Sequence, residues 1–127
     1  MDVLLKYRNS IFLLFLGVTL SILIGTLYPA EKLSKINIWD YDKLAHFALF
    51  AIWTFLFGLV SAAKNKKRPN LWLVFWLSLF FGLAVEILQF ILPTNRSPEL
   101  YDFIADALGS GAAIIVLNQI FKNKNTT

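Results

Sequence analysis

Two stretches carry residue types that an otherwise apolar chain should exclude. One is Glu86 to Gly111, EILQFILPTNRSPELYDFIADALGSG, with an apolar helical run on each side of a polar turn. Glu86, Gln89, Arg96, Asp102 and Asp106 fall within it. The other is Asp42-Lys43-Leu44-Ala45-His46, at the head of a separate apolar run. Together they offer carboxylates, an imidazole, an ammonium and a guanidinium. Arg96 is suited to hold a carboxylate through two parallel hydrogen bonds. His46 beside a carboxylate would be an acid/base pair that titrates near neutral pH. His46, Glu86, Asp102 and Asp106 are acceptable metal-ligand types. Nothing resembling an HExxH motif accompanies them, so neither a metal nor another cofactor is expected. Ser97 and Ser110 lack a nucleophile-elbow context, and the chain has no glycine-rich phosphate loop.

The medium around these groups follows from composition. Of 127 residues, 57% are hydrophobic and 16% charged, with a mean hydropathy of +0.63. A soluble domain would carry about a quarter charged residues. The 12 Phe and 4 Trp exceed what so small a core hides, which makes the bilayer the natural solvent. The absence of cysteine excludes disulfides, zinc ribbons, iron–sulfur clusters and cysteine nucleophiles.

Four apolar runs must position the polar groups: 11–28, 44–63, 71–92 and 103–121. A span needs about 17 residues or more, and each run reaches it. The first follows a short head with Lys6 and Arg8, as a secretory signal would. Its length exceeds an h-region of about 15 residues, and Tyr28-Pro29-Ala30 is a poor cleavage site, so retention as a membrane helix is expected. Trp39 and Tyr41 fit an interfacial aromatic belt. The expected fold is an all-α membrane protein, a single domain forming an antiparallel bundle of four transmembrane helices.

Basic residues set the expected orientation. With the N-terminus inside, Lys6, Arg8, the four basic residues of 64–68, Lys122 and Lys124 are cytoplasmic, against Lys32, Lys35, Lys43 and Arg96 outside. Both termini are then cytoplasmic. The +4 net charge is a topology signal with contacts to anionic lipid, and nucleic acid is not an expected partner.

Small residues four apart mark candidate packing faces. They are Gly17-Ser21-Gly25, Thr54-Gly58-Ala62, Ser78-Gly82 leading to Glu86, and Ala105-Gly109-Ala113. Because residues four apart share a helix face, Glu86, Gln89, Asp102, Asp106 and His46 should all point into the bundle. At 1.5 Å per residue, Glu86 lies roughly 9 Å below the outer boundary, and His46 and Asp106 roughly 5 Å. Positive-inside counting puts all three on the extracytoplasmic side.

These residues also carry a family resemblance. Asp42-Lys43-Leu44-Ala45-His46-Phe47 resembles the DKxxHF motif of VanZ-like membrane proteins. Glu86-x-x-Gln89, Pro93, Arg96, Asp102, a polar residue at 106 and Gly109 are similar to the rest of that signature. The match in order and spacing runs from Asp42 to Gly111. One departure is Asp106, where the family often has Asn; a carboxyl there adds a charge, or a proton shared with Glu86. The resemblance implies a bacterial cytoplasmic-membrane protein of the cell envelope. The family's founding member is linked to reduced susceptibility to the lipoglycopeptide teicoplanin.

A charged group inside a bilayer costs at least about 2.5–3.5 kcal/mol, so it is paired, wet or functional. One expectation is a structural network tying the helix ends together. The leading functional expectation is a pocket that binds an amphiphile: a lipid-linked envelope precursor, a phospholipid headgroup or a lipoglycopeptide. Lys43, His46 and Arg96 would contact anionic groups, while Asp42, Glu86, Gln89, Asp102 and Asp106 shape the site. Two alternatives stand beside it. One is an enzyme acting on a lipid headgroup, with His46 and Glu86 or Asp106 as catalytic groups. The other is a scaffold for envelope proteins, whose identities the residues do not indicate. Transport is disfavoured, because no polar residues continue the path toward the cytoplasm.

Overall fold

A computed structural model of the chain describes residues 1–27, 39–93 and 99–124. They form five helices: α1 (Asp2–Lys6), α2 (Arg8–Leu27), α3 (Trp39–Asn65), α4 (Leu71–Ile91) and α5 (Leu100–Asn123). Helices α2 to α5 are each long and apolar enough to cross a membrane. Their interiors contain no proline. At the start of α4, Asn70 accepts a hydrogen bond from the Leu73 backbone N–H at 3.3 Å, filling one of the donors a helix start leaves open. The same helix ends at Leu92, whose extended backbone (φ −79°, ψ 144°) is what a residue before proline adopts.

Side-chain contacts give the helix directions. Between α2 and α3, Thr19 meets Trp53 and Phe15 meets Phe57, so these helices are antiparallel. From α4 to α5, Glu86 meets Glu99 and Gly82 faces Asp106, again antiparallel. Along α3 and α5, Lys43–Asp102, His46–Asp106 and Thr54–Ser110 advance together, so those two run parallel. The result is an all-α, up-down-up-down membrane bundle with α3 and α5 at its centre.

Two apolar clusters hold it. At the end bearing the 66–70 loop, Leu4 of α1 packs with Ala62, Ala63, Leu117 and Phe121. The short N-terminal segment is therefore a helix tucked against the bundle rather than only a polar head. The middle is aromatic. Trp53 stacks on Phe81 of α4 with centroids 4.5 Å apart, and Phe15 of α2 lies 5.2 Å from it. The Trp53 indole N–H donates to Thr19 Oγ1 at 2.9 Å, which satisfies a polar group that lipid could not. Trp72 and Trp76 are 73% and 60% exposed and face outward, toward lipid in a membrane. The side chains of Trp39 and Tyr41 lie outside the described residues.

Three of the four small-residue stripes are packing faces. An added Cβ at Gly109 would overlap the Phe47 carbonyl oxygen, and one at Gly58 would overlap Leu117. At Gly82 it would stand 3.2 Å from Asp106 Oδ2. The stripe on α2 differs: nothing lies within 4 Å of such a Cβ at Gly17 or Gly25. Small residues permit close approach without compelling it, and here Ser21 and Gly25 line a cleft instead.

Two boundaries also move. Asp42 and Lys43 lie on α3, and Asp102 lies in the first turn of α5, so both helices begin ahead of the apolar runs that start at 44 and 103. The helices can extend over these charged residues because Lys43 pairs with Asp102 and Asp42 faces His46 at 3.9 Å. A carboxylate in a first helical turn also meets the positive end of the helix dipole.

Candidate functional site

The polar residues converge at the end of the bundle where α3 and α5 begin and α4 ends. Residue spacing aims them. Lys43 and His46 are three apart on α3, Asp102 and Asp106 four apart on α5, and Glu86 and Gln89 three apart on α4; each pair shares a face. Glu86, Gln89, Asp102 and Asp106 are all buried.

His46 is the hub. Its Nδ1 lies 2.8 Å from Asp106 Oδ1, and its Nε2 lies 3.7 Å from Asp102 Oδ2 and 3.9 Å from Asp42 Oδ1. Lys43 Nζ donates to Asp102 Oδ1 at 2.8 Å and to Glu99 Oε2 at 2.7 Å. The Glu99 backbone N–H donates to Glu86 Oε2 at 3.3 Å. A chain of contacts thus ties α3 to α5 and α5 to α4.

Seven of the eight residues expected at the site meet there: Asp42, Lys43 and His46 from α3, Glu86 and Gln89 from α4, Asp102 and Asp106 from α5. Arg96 lies outside the described residues. One participant was not expected. Glu99, just ahead of α5, binds Lys43 through its side chain and Glu86 through its backbone. Its position three residues before Asp102 was the available signal.

Two oxygens in this network have no partner among the described residues. Glu86 Oε1 and Asp106 Oδ2 are buried and accept no hydrogen bond, a costly state for a polar atom. Charge among the described residues is also lopsided. Asp42, Glu86, Glu99, Asp102 and Asp106 surround one lysine and one histidine there, and both of those already face carboxylates. Ligand atoms of His46, Glu86 and Asp106 all lie within 4.8 Å of one another, as do those of Asp42, His46 and Asp102.

Beside the network runs a cleft of about 390 Å³ between α2, α3 and α4. Ile22, Leu49, Phe50 and Val85 form apolar wall, and Asp42, His46 and Gln89 bring polar groups to it. Its size falls within the range of about 300–1,000 Å³ typical of small-molecule sites.

Neither a curated protein nor a solved structure matches the chain. A family profile does, and it extends beyond the Asp42–Gly111 core of motifs into both flanking helices. With residues 4–122 matched, the chain belongs to the VanZ/LLP1 family.

Proposed function

We propose that this membrane protein binds an amphiphilic ligand of the cell envelope in the cleft between α2, α3 and α4. The ligand class is a lipid-linked precursor, a phospholipid headgroup or a lipoglycopeptide. The observation that carries the reading is the cleft's composition: apolar wall from Ile22, Leu49, Phe50 and Val85, with Asp42, His46 and Gln89 also lining it. An amphiphile has the same division. Lys43, Glu86, Asp102 and Asp106 orient the polar end from behind, and Arg96, in the segment linking α4 to α5, contributes a further cation. Family membership supports a site in the bacterial cytoplasmic membrane, and the basic residues support both termini being cytoplasmic with the cluster outside. Reduced susceptibility to teicoplanin is the physiological outcome this reading takes from the family.

Gly25 provides the test. It lines the cleft, and a Cβ there meets nothing within 4 Å, so Gly25→Leu starts its side chain in open space at the cleft. Native mass spectrometry of the protein in lipid nanodiscs should show retained lipid falling at least about tenfold, or about 1.4 kcal/mol. His46→Ala should weaken retention as well. Unchanged lipid retention and unchanged teicoplanin susceptibility in both well-expressed variants would sink the proposal.

The 2.8 Å contact of His46 with Asp106 favours one second reading, an enzyme that turns over a lipid headgroup with this acid/base pair. It requires a product from a panel of outer-leaflet lipids and a pH profile that His46→Gln alters.

A further inference from the structure

The geometry points to a divalent-cation site formed by His46, Glu86 and Asp106, one ligand each from α3, α4 and α5. The site concerns this protein's own side chains and holds whether or not the cleft takes an amphiphile.

Three observations carry it. First, one ligand atom from each residue lies within 4.8 Å of the others. A tetrahedral ion with bonds of about 2.1 Å sets its ligand atoms about 3.4 Å apart, so small side-chain rotations close the triad. Second, the two carboxylates are almost fully enclosed, Glu86 at 6% and Asp106 at 0% exposure. Each nevertheless keeps one oxygen without a hydrogen bond among the described residues, Glu86 Oε1 and Asp106 Oδ2. Asp106 Oδ2 is aimed at α4: it is the nearest atom to a Cβ built on Gly82, one turn before Glu86. Buried carboxylates require a donor, a proton or a metal. Third, the surrounding charge is negative among the described residues. Asp102 has Lys43 at 2.8 Å, whereas Glu86 and Asp106 have no lysine or arginine within ion-pair distance among the described residues.

The donor set selects the ion. Two carboxylate oxygens and one imidazole nitrogen suit Zn²⁺ or Mn²⁺, and the absence of sulfur disfavours softer ions. The other triad, Asp42–His46–Asp102, is the weaker candidate because Lys43 already balances Asp102. With three protein ligands, such an ion keeps an open coordination position. Since His46 lines the cleft, the ion would bring positive charge to a carboxylate-rich site, and the chemistry it would receive is an anionic oxygen such as a phosphate or carboxylate.

The test uses full-length protein in detergent, stripped with chelator and titrated with Zn²⁺ and Mn²⁺ against a chromophoric competitor. One equivalent of one ion should bind. Glu86→Gln and Asp106→Asn should each weaken binding by ~100-fold or more, since even outer-shell changes cost ~10–100-fold. Co²⁺ substitution should give an absorption spectrum that His46→Gln alters, which reports ligation directly. Arg68→Ala, on the basic loop at the opposite end, should leave affinity unchanged. Failure of the unsubstituted protein to bind either ion tighter than ~100 µM overturns the proposal and leaves a proton shared by Glu86 and Asp106. Binding that survives Glu86→Gln in monodisperse protein, or that Asp42→Asn abolishes instead, also overturns it. Loss of lipid in Gly25→Leu with metal binding intact separates this site from the amphiphile cleft.

Discussion

His46 Nδ1 and Asp106 Oδ1 meet at 2.8 Å across sixty positions of sequence, and this contact joins the two central helices at their polar end. Asp106 is fully buried, and His46 is its one hydrogen-bond partner among the described residues. Removing the imidazole strands the carboxyl at a cost of about 1–3 kcal/mol. His46→Ala should therefore destabilise the bundle. Adding Asp106→Leu to His46→Ala should recover part of the loss, because the stranded acceptor is gone. In the His46 background, Asp106→Leu should destabilise. The opposite signs are read from SDS-induced unfolding of the four proteins; the same sign in both backgrounds rules out the pairing.

Lys43 divides its ammonium between two carboxylates of unequal burial. The side chain of Asp102 is 5% exposed and that of Glu99 29%. Lys43→Met removes the ammonium hydrogen bond to Asp102 and leaves this buried carboxylate, among the described residues, only the His46 Nε2 at 3.7 Å, which should cost about 1–3 kcal/mol. Glu99→Gln removes only the more exposed partner and keeps the backbone N–H to Glu86, so it should cost under about 1 kcal/mol. Unfolding midpoints of the two variants check the order, and equal losses would count against it.

Deeper in the bundle, Thr54 Oγ1 donates to Ser110 Oγ at 2.9 Å, with both hydroxyls buried. Helix pairs in lipid gain modestly from such bonds, about 0.6 kcal/mol on average and up to about 1.7. A double-mutant cycle with Thr54→Val and Ser110→Ala should give a coupling energy in that range. A coupling indistinguishable from zero would mean that the bond holds no register between α3 and α5.

The four spans were legible because hydropathy over a window is a property of each segment alone. Their ends were not. Asp42, Lys43 and Asp102 fall outside the apolar runs because each is polar, yet they are helical, with Lys43 and Asp102 paired across two segments. No local window contains that pairing. The inward aim of Glu86 and Asp106 was visible in the Ser78-Gly82-Glu86 and Asp102-Asp106 spacings. The helical period alone converts spacing into direction. Glu99 was hidden in a polar turn where an acid is unremarkable, and its role depends on Lys43 arriving from fifty-six positions away. Gly17-Ser21-Gly25 misled for the opposite reason. Its spacing is that of a packing face, but a Cβ at Gly17 or Gly25 would meet nothing within 4 Å, and Ser21 and Gly25 line a cleft.

The glycines sort by what a methyl group would meet, which gives a graded series. At Gly109 the obstacle is backbone, the Phe47 carbonyl oxygen and the Ala51 nitrogen. Neither can move without shifting α3 against α5, so Gly109→Ala should cost about 1–3 kcal/mol, as overpacking does. At Gly58 the obstacle is the end of the Leu117 side chain, which can change rotamer, so the loss should be smaller. At Gly17 and Gly111 an added Cβ meets nothing within 4 Å. Alanine there gains helix propensity by up to about 1 kcal/mol and should be neutral or stabilising. Thermal unfolding of the four variants in one detergent should rank Gly109→Ala least stable, Gly58→Ala next, and Gly17→Ala and Gly111→Ala at or above the parent. A Gly109→Ala variant as stable as Gly17→Ala would mean that α3 and α5 do not approach this closely, and the contact of His46 with Asp106 one turn away would then lack its scaffold.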